Sequence, residues 1–348
     1  MSARADLLAA AGERILLFDG AFGTEIQARR LSEADFAGDL GLRADQFGNN
    51  DILALTRPDV IAEITRAYLD AGSDIVSTNT FSANRISQAD YGAQGRVSDI
   101  NRAAAGIARR LADEFAAADG KPRFVAGAIG PTNKTLSMSP DVDDPGYREI
   151  DFDQLAEVYR EQAASLIEGG ADFILVETIF DTLNAKAAIF AVRDLERTLG
   201  REIPLMLSMT LTDLSGRNLS GHTVEAFWHS VRHAKPIAIG LNCSFGAEQL
   251  RPHVQLLSQV ADTLLLAYPN AGLPNELGEY DELPETTAAA LREWAEDGRV
   301  NILGGCCGST PQHIAAIAQA VNGLPPRLLP QLDPITRLAG LEPFTMAL

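Results

Sequence analysis

Gly304-Gly305-Cys306-Cys307-Gly308-Ser309-Thr310-Pro311 carries two of the three cysteines of the chain, adjacent to each other, straight after the apolar run Val300, Ile302, Leu303. Its glycines permit backbone angles and close approaches that side chains forbid. Thr310 followed by Pro311 reads as an N-cap and a first-turn proline, opening a helix that carries Ile314, Ile317 and Val321. The cysteine pair therefore sits on a strand-to-helix turn. The third cysteine occupies a turn of the same kind, at the end of Ile237-Ala238-Ile239-Gly240-Leu241-Asn242-Cys243.

Working outward, such turns recur. Short aliphatic or β-branched runs at Ile15–Phe18, Asp74–Ser77, Phe124–Ile129, Phe173–Val176, Leu205–Met209, Ile237–Leu241, Leu264–Ala267 and Asn301–Leu303 alternate with helical patterns such as Val60–Ala71, Ile100–Ala118, Phe152–Glu168, Leu183–Leu199, Thr223–His233, Ala247–Val260 and Thr286–Glu296. Eight buried-type strands interleaved with helices predict an α/β protein, a (β/α)8 TIM barrel. An internal echo agrees: Gly72-Ser73-Asp74 and Gly170-Ala171-Asp172 each lead into a strand. A doubly wound sheet is the alternative, but Asp19-Gly20-Ala21-Phe22-Gly23 does not meet its glycine-rich phosphate fingerprint. The βα connections Gly20–Arg57 and Pro131–Asp151 are long, as loops that shape an active site commonly are. The barrel is assigned to residues 1–325. Residues 326–348, with Pro326, Pro330, Pro334 and Pro343, form an extended C-terminal tail that resembles an interdomain linker.

With 348 residues, 46% of them hydrophobic, the chain can bury a large core. A formal charge of −18 argues against nucleic acid and anionic membranes as partners, since both reward basic patches. Met1 to Glu13 is mixed and charged, unlike a secretory leader, and no run of about 18 apolar residues is present to span a bilayer. The expected location is cytoplasmic, where clustered thiols point to metal or catalysis more than to disulfides.

Barrel chemistry lies at the C-terminal ends of strands. Those ends offer Asp19, Thr78-Asn79-Thr80, Glu177-Thr178, Thr210, Asn242-Cys243, Tyr268 and Cys306-Cys307. Strands six and eight are separated by one strand, so Cys243 can meet Cys306 and Cys307. Three thiolates suit zinc, at Zn–S distances of about 2.3 Å, with a fourth position for water, substrate or a neighbour such as Asn242. Buried free thiols or a vicinal disulfide are the other readings of the same cysteines. A zinc ion with three thiolates is a poor Lewis acid but holds a fourth thiolate well. A free thiol has a pKa of about 8.5, and coordination deprotonates it. Thiol alkylation is the reaction this suggests. Asp19 and Glu177 are strand-end caps, members of an ion pair, or carboxylates for a substrate ammonium, and the Thr78–Phe81 turn has backbone N–H groups to offer a carboxylate. The histidines His222, His229, His233, His253 and His313 read as surface or packing residues.

Asp19-Gly20-Ala21-Phe22-Gly23-Thr24, Thr78-Asn79-Thr80-Phe81, Gly127-Ala128-Ile129-Gly130-Pro131, Glu177-Thr178, Gly240-Leu241-Asn242-Cys243 and Gly304-Gly305-Cys306-Cys307-Gly308 together resemble the zinc-dependent homocysteine S-methyltransferases, in the same order and from about Leu16 to Gly323. Glu177–Lys186 and Leu338–Pro343 are most similar to the homocysteine-binding module of cobalamin-dependent methionine synthase. The resemblance implies that Cys243, Cys306 and Cys307 bind zinc. It places Asp19 and Glu177 at the amino group of L-homocysteine, with Ala21–Phe22 and Asn79–Thr80 near its carboxylate. It implies methyl transfer from methylcobalamin to the zinc-bound thiolate, giving methionine and cob(I)alamin. No Asp-x-His-x-x-Gly corrinoid pattern is present, and the chain stops where a folate module would begin. The expectation is a stand-alone homocysteine subunit whose cobalamin-binding and folate-binding functions lie on a separate polypeptide docking over the strand-end face. The alternatives are a methyltransferase using a small donor such as S-methylmethionine or betaine, a non-catalytic binding subunit, and a Schiff-base lyase using Lys186 or Lys134.

Overall fold

The computed structural model describes residues 2–42 and 44–346. Eight parallel strands form the barrel: β1 (Leu16–Leu17), β2 (Ile75–Ser77), β3 (Phe124–Ile129), β4 (Phe173–Ile179), β5 (Leu205–Met209), β6 (Ala238–Asn242), β7 (Leu264–Tyr268) and β8 (Ile302–Leu303). Neighbours in sequence pair from β2 to β8, β8 pairs back onto β1, and a bridge between Phe18 and Ile75 joins β1 to β2. The expected (β/α)8 barrel is the observed fold. All eight runs read from the sequence are strands, most with ends moved by a residue or two. The exception is β4, which continues past Val176 to Ile179 through an irregular register.

The period of two along the strands sorts their side chains. Val125, Ile129, Ile174, Val176, Ile239 and Leu241 face outward and pack beneath the helices. Phe124, Ala126, Phe173, Leu175, Ala238 and Leu266 face inward and fill the barrel. The same inward parity carries upward to Ser77, Glu177, Ser208, Asn242 and Tyr268. The top layer of the barrel interior is thus polar where the lower layers are apolar.

The internal echo has a physical cause. Gly72 and Gly170 adopt matching left-handed angles (φ 106° and 108°), and each leads to an aspartate that accepts an N–H from the preceding strand. Asp74 takes Leu17 N at 2.9 Å and Asp172 takes Val125 N at 2.7 Å. Asn301, just before β8, does the same for Leu265 N at 2.9 Å.

Helices follow their apolar faces and caps. Phe152–Glu168 opens on a capping box between Asp151 and Gln154, and Pro311–Val321 starts at Thr310 as expected. Three stretches differ from the sequence reading. Residues 3–13, read only as mixed and charged, form the helix Ala3–Glu13 capped by Ser2. Its Leu7 and Ala11, one turn apart, join the inward-facing cluster and floor the barrel. The Gly20–Arg57 connection is not a plain loop but carries the short helices Phe22–Ala28, Glu33–Ala37 and Leu53–Thr56. The tail anchors the buried Arg327 on the carbonyls of Ser258, Ala261 and Thr263. It then folds as an antiparallel hairpin, β9 (Arg337–Ala339) with β10 (Pro343–Thr345), whose turn receives Thr223 N on Leu341 O at 3.1 Å beside the helix Val224–Val231. Among the described residues no helix is long and apolar enough to cross a membrane.

Leu7 is fully buried, whereas Leu8 is 39% exposed. Leu7→Ala should therefore cost about 2–4 kcal/mol in urea unfolding, while Leu8→Ala should stay within about 0.5 kcal/mol of wild type. Equal effects would show that the N-terminal helix does not floor the barrel.

Candidate metal centre

Cys243 follows β6, and Cys306 and Cys307 follow β8. Their sulfurs all lie within 4.8 Å of one another, with Cys243 Sγ to Cys307 Sγ at 3.8 Å. Local backbone chemistry puts them there. Gly304 N donates to Ala267 O, Cys306 N to Pro269 O and Ala271 N to Cys307 O, stitching the turn to the end of β7. A Cβ on Gly304 would fall 2.8 Å from Phe18 Cβ and 2.9 Å from Asp19 O, so only glycine lets the two strand ends close. On the other side Cys243 and Ser244 both adopt left-handed angles (φ 62° and 64°), uncommon for such residues. The turn is held by Ser244 Oγ against Thr210 Oγ1 at 2.7 Å.

All three thiols are free and half-buried. Without a cation they cannot all ionise. Contacts from Cys243 and Cys306 draw Cys307 down to about 3. Cys306 is pushed well up by its contacts with Cys243 and Cys307 and by burial. Cys243, drawn down by Cys306, is raised further by Cys307 and burial, to about 11. One negative charge is shared by three soft donors, the donor set that suits zinc. None of the five histidines joins this cluster among the described residues. His313 instead turns its ring nitrogens to Thr310 and to Glu282 O.

The sulfurs open onto a cavity of about 1220 Å³ that the strand ends share. Asp19, Ala21, Phe22, Asn79, Thr80 and Glu177 all line it. Asp19 is fully buried, and its carboxylate accepts from Ser77 N at 2.7 Å and from the Ser77 hydroxyl at 3.0 Å. Burial, opposed by those bonds, raises its pKa to about 8. Glu177 accepts from Tyr268 OH at 3.1 Å, and burial raises it to about 7. Neither carboxylate has a cation partner among the described residues. Ala21 N is donated to Ser309 O and Thr80 N to Thr78 O, whereas Phe22 N and Asn79 N have no protein acceptor among the described residues. Asn79 Nδ2 reaches Asn50 O at 2.7 Å and ties the β2 turn to the first long connection. Asn242 is fully buried. Its Oδ1 accepts from Thr178 N and Ser208 Oγ, and its Nδ2 donates to Thr178 Oγ1 and faces Cys306 Sγ at 3.9 Å.

Sequence reasoning missed Asp51. This residue is 6% exposed, lines the same cavity, accepts only Ser82 N at 3.0 Å, and is raised by burial to about 7. The polar run Gly48-Asn49-Asn50-Asp51 inside an otherwise helical connection was the available signal. Tyr268 stood among the strand-end residues without a role, and its hydroxyl now belongs to Glu177. Lys134 pairs with Glu149, and neither it nor Lys186 lines the cavity among the described residues.

The pattern that describes the homocysteine S-methyltransferase family matches residues 16–321 of this chain. Among solved structures, the oxidised form of the homocysteine methyltransferase MmuM from Escherichia coli superposes with a TM-score of 0.71 at 22% identity, covering 92% of this chain and 99% of that one. The metallated form of the same E. coli protein superposes at 0.70 with 23% identity, over 90% and 98% of the two chains.

The raised carboxyls set a sign for pH dependence. Each keeps its proton in the fold above the pH at which an unfolded carboxyl, at about 4, loses it. The stability these two carboxyls contribute is therefore fully present below about pH 4 and lost as pH rises through about 7 to 8. Between pH 5 and 8 the urea midpoint of the metal-free Asp19→Asn, Glu177→Gln double variant should fall less, or rise more, with pH than that of wild type. An unchanged slope would show that the carboxyls titrate normally.

Proposed function

The chain belongs to the homocysteine S-methyltransferase family, and from that premise we propose that its methyltransferase activity makes methionine, with zinc held by Cys243, Cys306 and Cys307 and methylcobalamin as the donor. The observation that carries the reading is the pairing of three convergent thiols with uncompensated buried carboxyls in one cavity, Asp19 and Glu177 at the strand ends among them. That arrangement matches an amino acid with an ammonium at one end and a thiol at the other.

Zinc bound there would deprotonate the substrate thiol and keep its sulfur nucleophilic. The chain's own residues do the rest. Asp19 and Glu177 take the ammonium, and losing their protons to solvent as it binds converts two neutral acids into its counter-charges. The free N–H groups of Phe22 and Asn79, in the Ala21–Phe22 and Asn79–Thr80 turns, receive the carboxylate. Ser77 and Tyr268 hold the two acids in place, so the thiol end points at the cysteines. A bond then forms between substrate sulfur and methyl carbon. The donor's bond to that carbon breaks, with the electron pair staying on the donor, and the thiol proton goes to solvent.

The donor assignment rests on the likeness of Glu177–Lys186 and Leu338–Pro343 to the homocysteine module of cobalamin-dependent methionine synthase, and on a cavity several times larger than one amino acid. The corrinoid would be presented by a separate polypeptide at the cavity mouth. Residues 1–325 are taken as the catalytic barrel and 326–348 as its tail. Free thiols at the centre suit the reducing cytoplasm.

The test measures zinc content and single-turnover transfer from free methylcobalamin to L-homocysteine in reduced protein. One zinc per chain, with demethylation in step with methionine and loss of both on chelation, is the expected result. Transfer from S-methylmethionine or betaine without any corrinoid would replace the donor. Protein that takes up no zinc would sink the reading. Cys307→Ser should lose zinc and transfer together, whereas Glu177→Gln should keep zinc and weaken homocysteine binding about tenfold or more, the usual cost of an unmade bond to a charged group.

A further inference from the structure

Glu177 does not sit on a regular strand. Between Val176 and Ile179 the register of β4 against β5 shifts, and Thr178 takes a left-handed angle (φ 55°). A β-branched residue pays for such an angle, and the strain persists only where the surroundings hold it. What holds it is one side chain. Asn242, on β6, grips Thr178 twice: Thr178 N donates to Asn242 Oδ1 at 3.1 Å, and Asn242 Nδ2 donates to Thr178 Oγ1 at 2.9 Å. Ser208 Oγ, from β5 between them, donates to the same Oδ1 at 2.6 Å. These bonds set which end of the amide is oxygen. The Nδ2 end, thereby fixed, lies 3.9 Å from Cys306 Sγ.

We infer that Asn242 is a positioning residue that couples the ammonium-binding carboxylate to the metal-binding sulfur, acting as a hydrogen-bond clamp on Thr178 and a donor to Cys306. The inference rests on the homocysteine reading of this site. Its Oδ1 already receives two donors, so in this arrangement the amide supports the sulfur cluster from behind. The oxygen expected from the sequence as a resting fourth ligand is occupied. Through the clamp, the turn that aims Glu177 into the cavity and the cysteine that faces it become one mechanical unit.

The two halves of the site can be read separately. L-Methionine, which needs no metal, reports the ammonium pocket when titrated into zinc-free reduced protein by calorimetry. Competition with a chromophoric chelator reports zinc affinity. Thr178→Val keeps the size of the side chain and removes the Oγ1 acceptor. It should weaken methionine about fivefold to tenfold, the loss of one buried hydrogen bond, with zinc affinity within twofold of wild type and the thermal midpoint held. Asn242→Ala should weaken methionine at least as much and loosen zinc severalfold as well. A purely structural role would lower the thermal midpoint in step with both affinities. Methionine binding within twofold of wild type in Thr178→Val would overturn the clamp, and this variant decides the matter if Asn242→Ala does not fold. Tighter zinc binding by Asn242→Asp than by wild type would also overturn it, since a carboxylate improves a ligand but cannot replace the N–H donor. Wild type that binds neither zinc nor methionine would instead defeat the homocysteine reading itself.

Discussion

Eight acidic groups, three thiols and the carboxyls of Asp19, Asp51, Asp90, Glu177 and Glu279, line one cavity, and no lysine or arginine lines it among the described residues. Most features of the strand-end face follow from that imbalance. The chain as a whole carries a formal charge of −18, so no remote surplus of positive charge relieves it. Burial makes each ionisation expensive: it lifts Asp19 and Glu177 well above the usual carboxylate range, while contacts among the three sulfurs favour ionisation of Cys307 over the other two. An empty pocket of this kind is discriminating. On the proposed function it would reward a dication at the sulfur end and an ammonium at the carboxyl end, and it offers an anion no cationic side chain.

The barrel was legible because its strands are buried on both faces and read as short aliphatic runs, each followed by a turn and a long amphipathic helix. The cysteine cluster was legible for a related reason. Barrel topology brings the ends of strands six and eight within reach whatever the chain length between them. What stayed hidden depended on sparse or conditional signals. The helix Ala3–Glu13 buries only Leu7 and Ala11, too few positions to show a period among its alanines and charges. The irregularity after Val176 has no glycine or proline to mark it, since Asn242 of another strand enforces it. Asp51 looked like any polar loop residue. Only the fold around Ser82 and Asn79 reveals that it is buried.

Backbone strain in this molecule is not scattered. Thr178, Cys243 and Ser244 account for three of the five non-glycine left-handed residues among those described, and all three stand around the sulfur cluster. Two of them have a polar side-chain partner: Asn242 for Thr178, and Thr210 for Ser244, the residue after Cys243. A site that must place a sulfur and a carboxylate within a fraction of an ångström uses hydrogen bonds as braces, and the braces themselves lie in the polar upper layer of the barrel.

The floor built by Leu7 and Ala11 has a consequence for traffic. With apolar side chains packed beneath the cavity and the helix Ala3–Glu13 under them, the barrel is filled at its N-terminal end, and the chamber lies at the strand-end face. On the proposed function, both reactants would come through that open face. An amino acid held at Asp19 and Glu177 would then have to be seated before a large donor stands at the entrance, and its product would leave only after the donor has stepped away. Queueing would follow from the architecture itself.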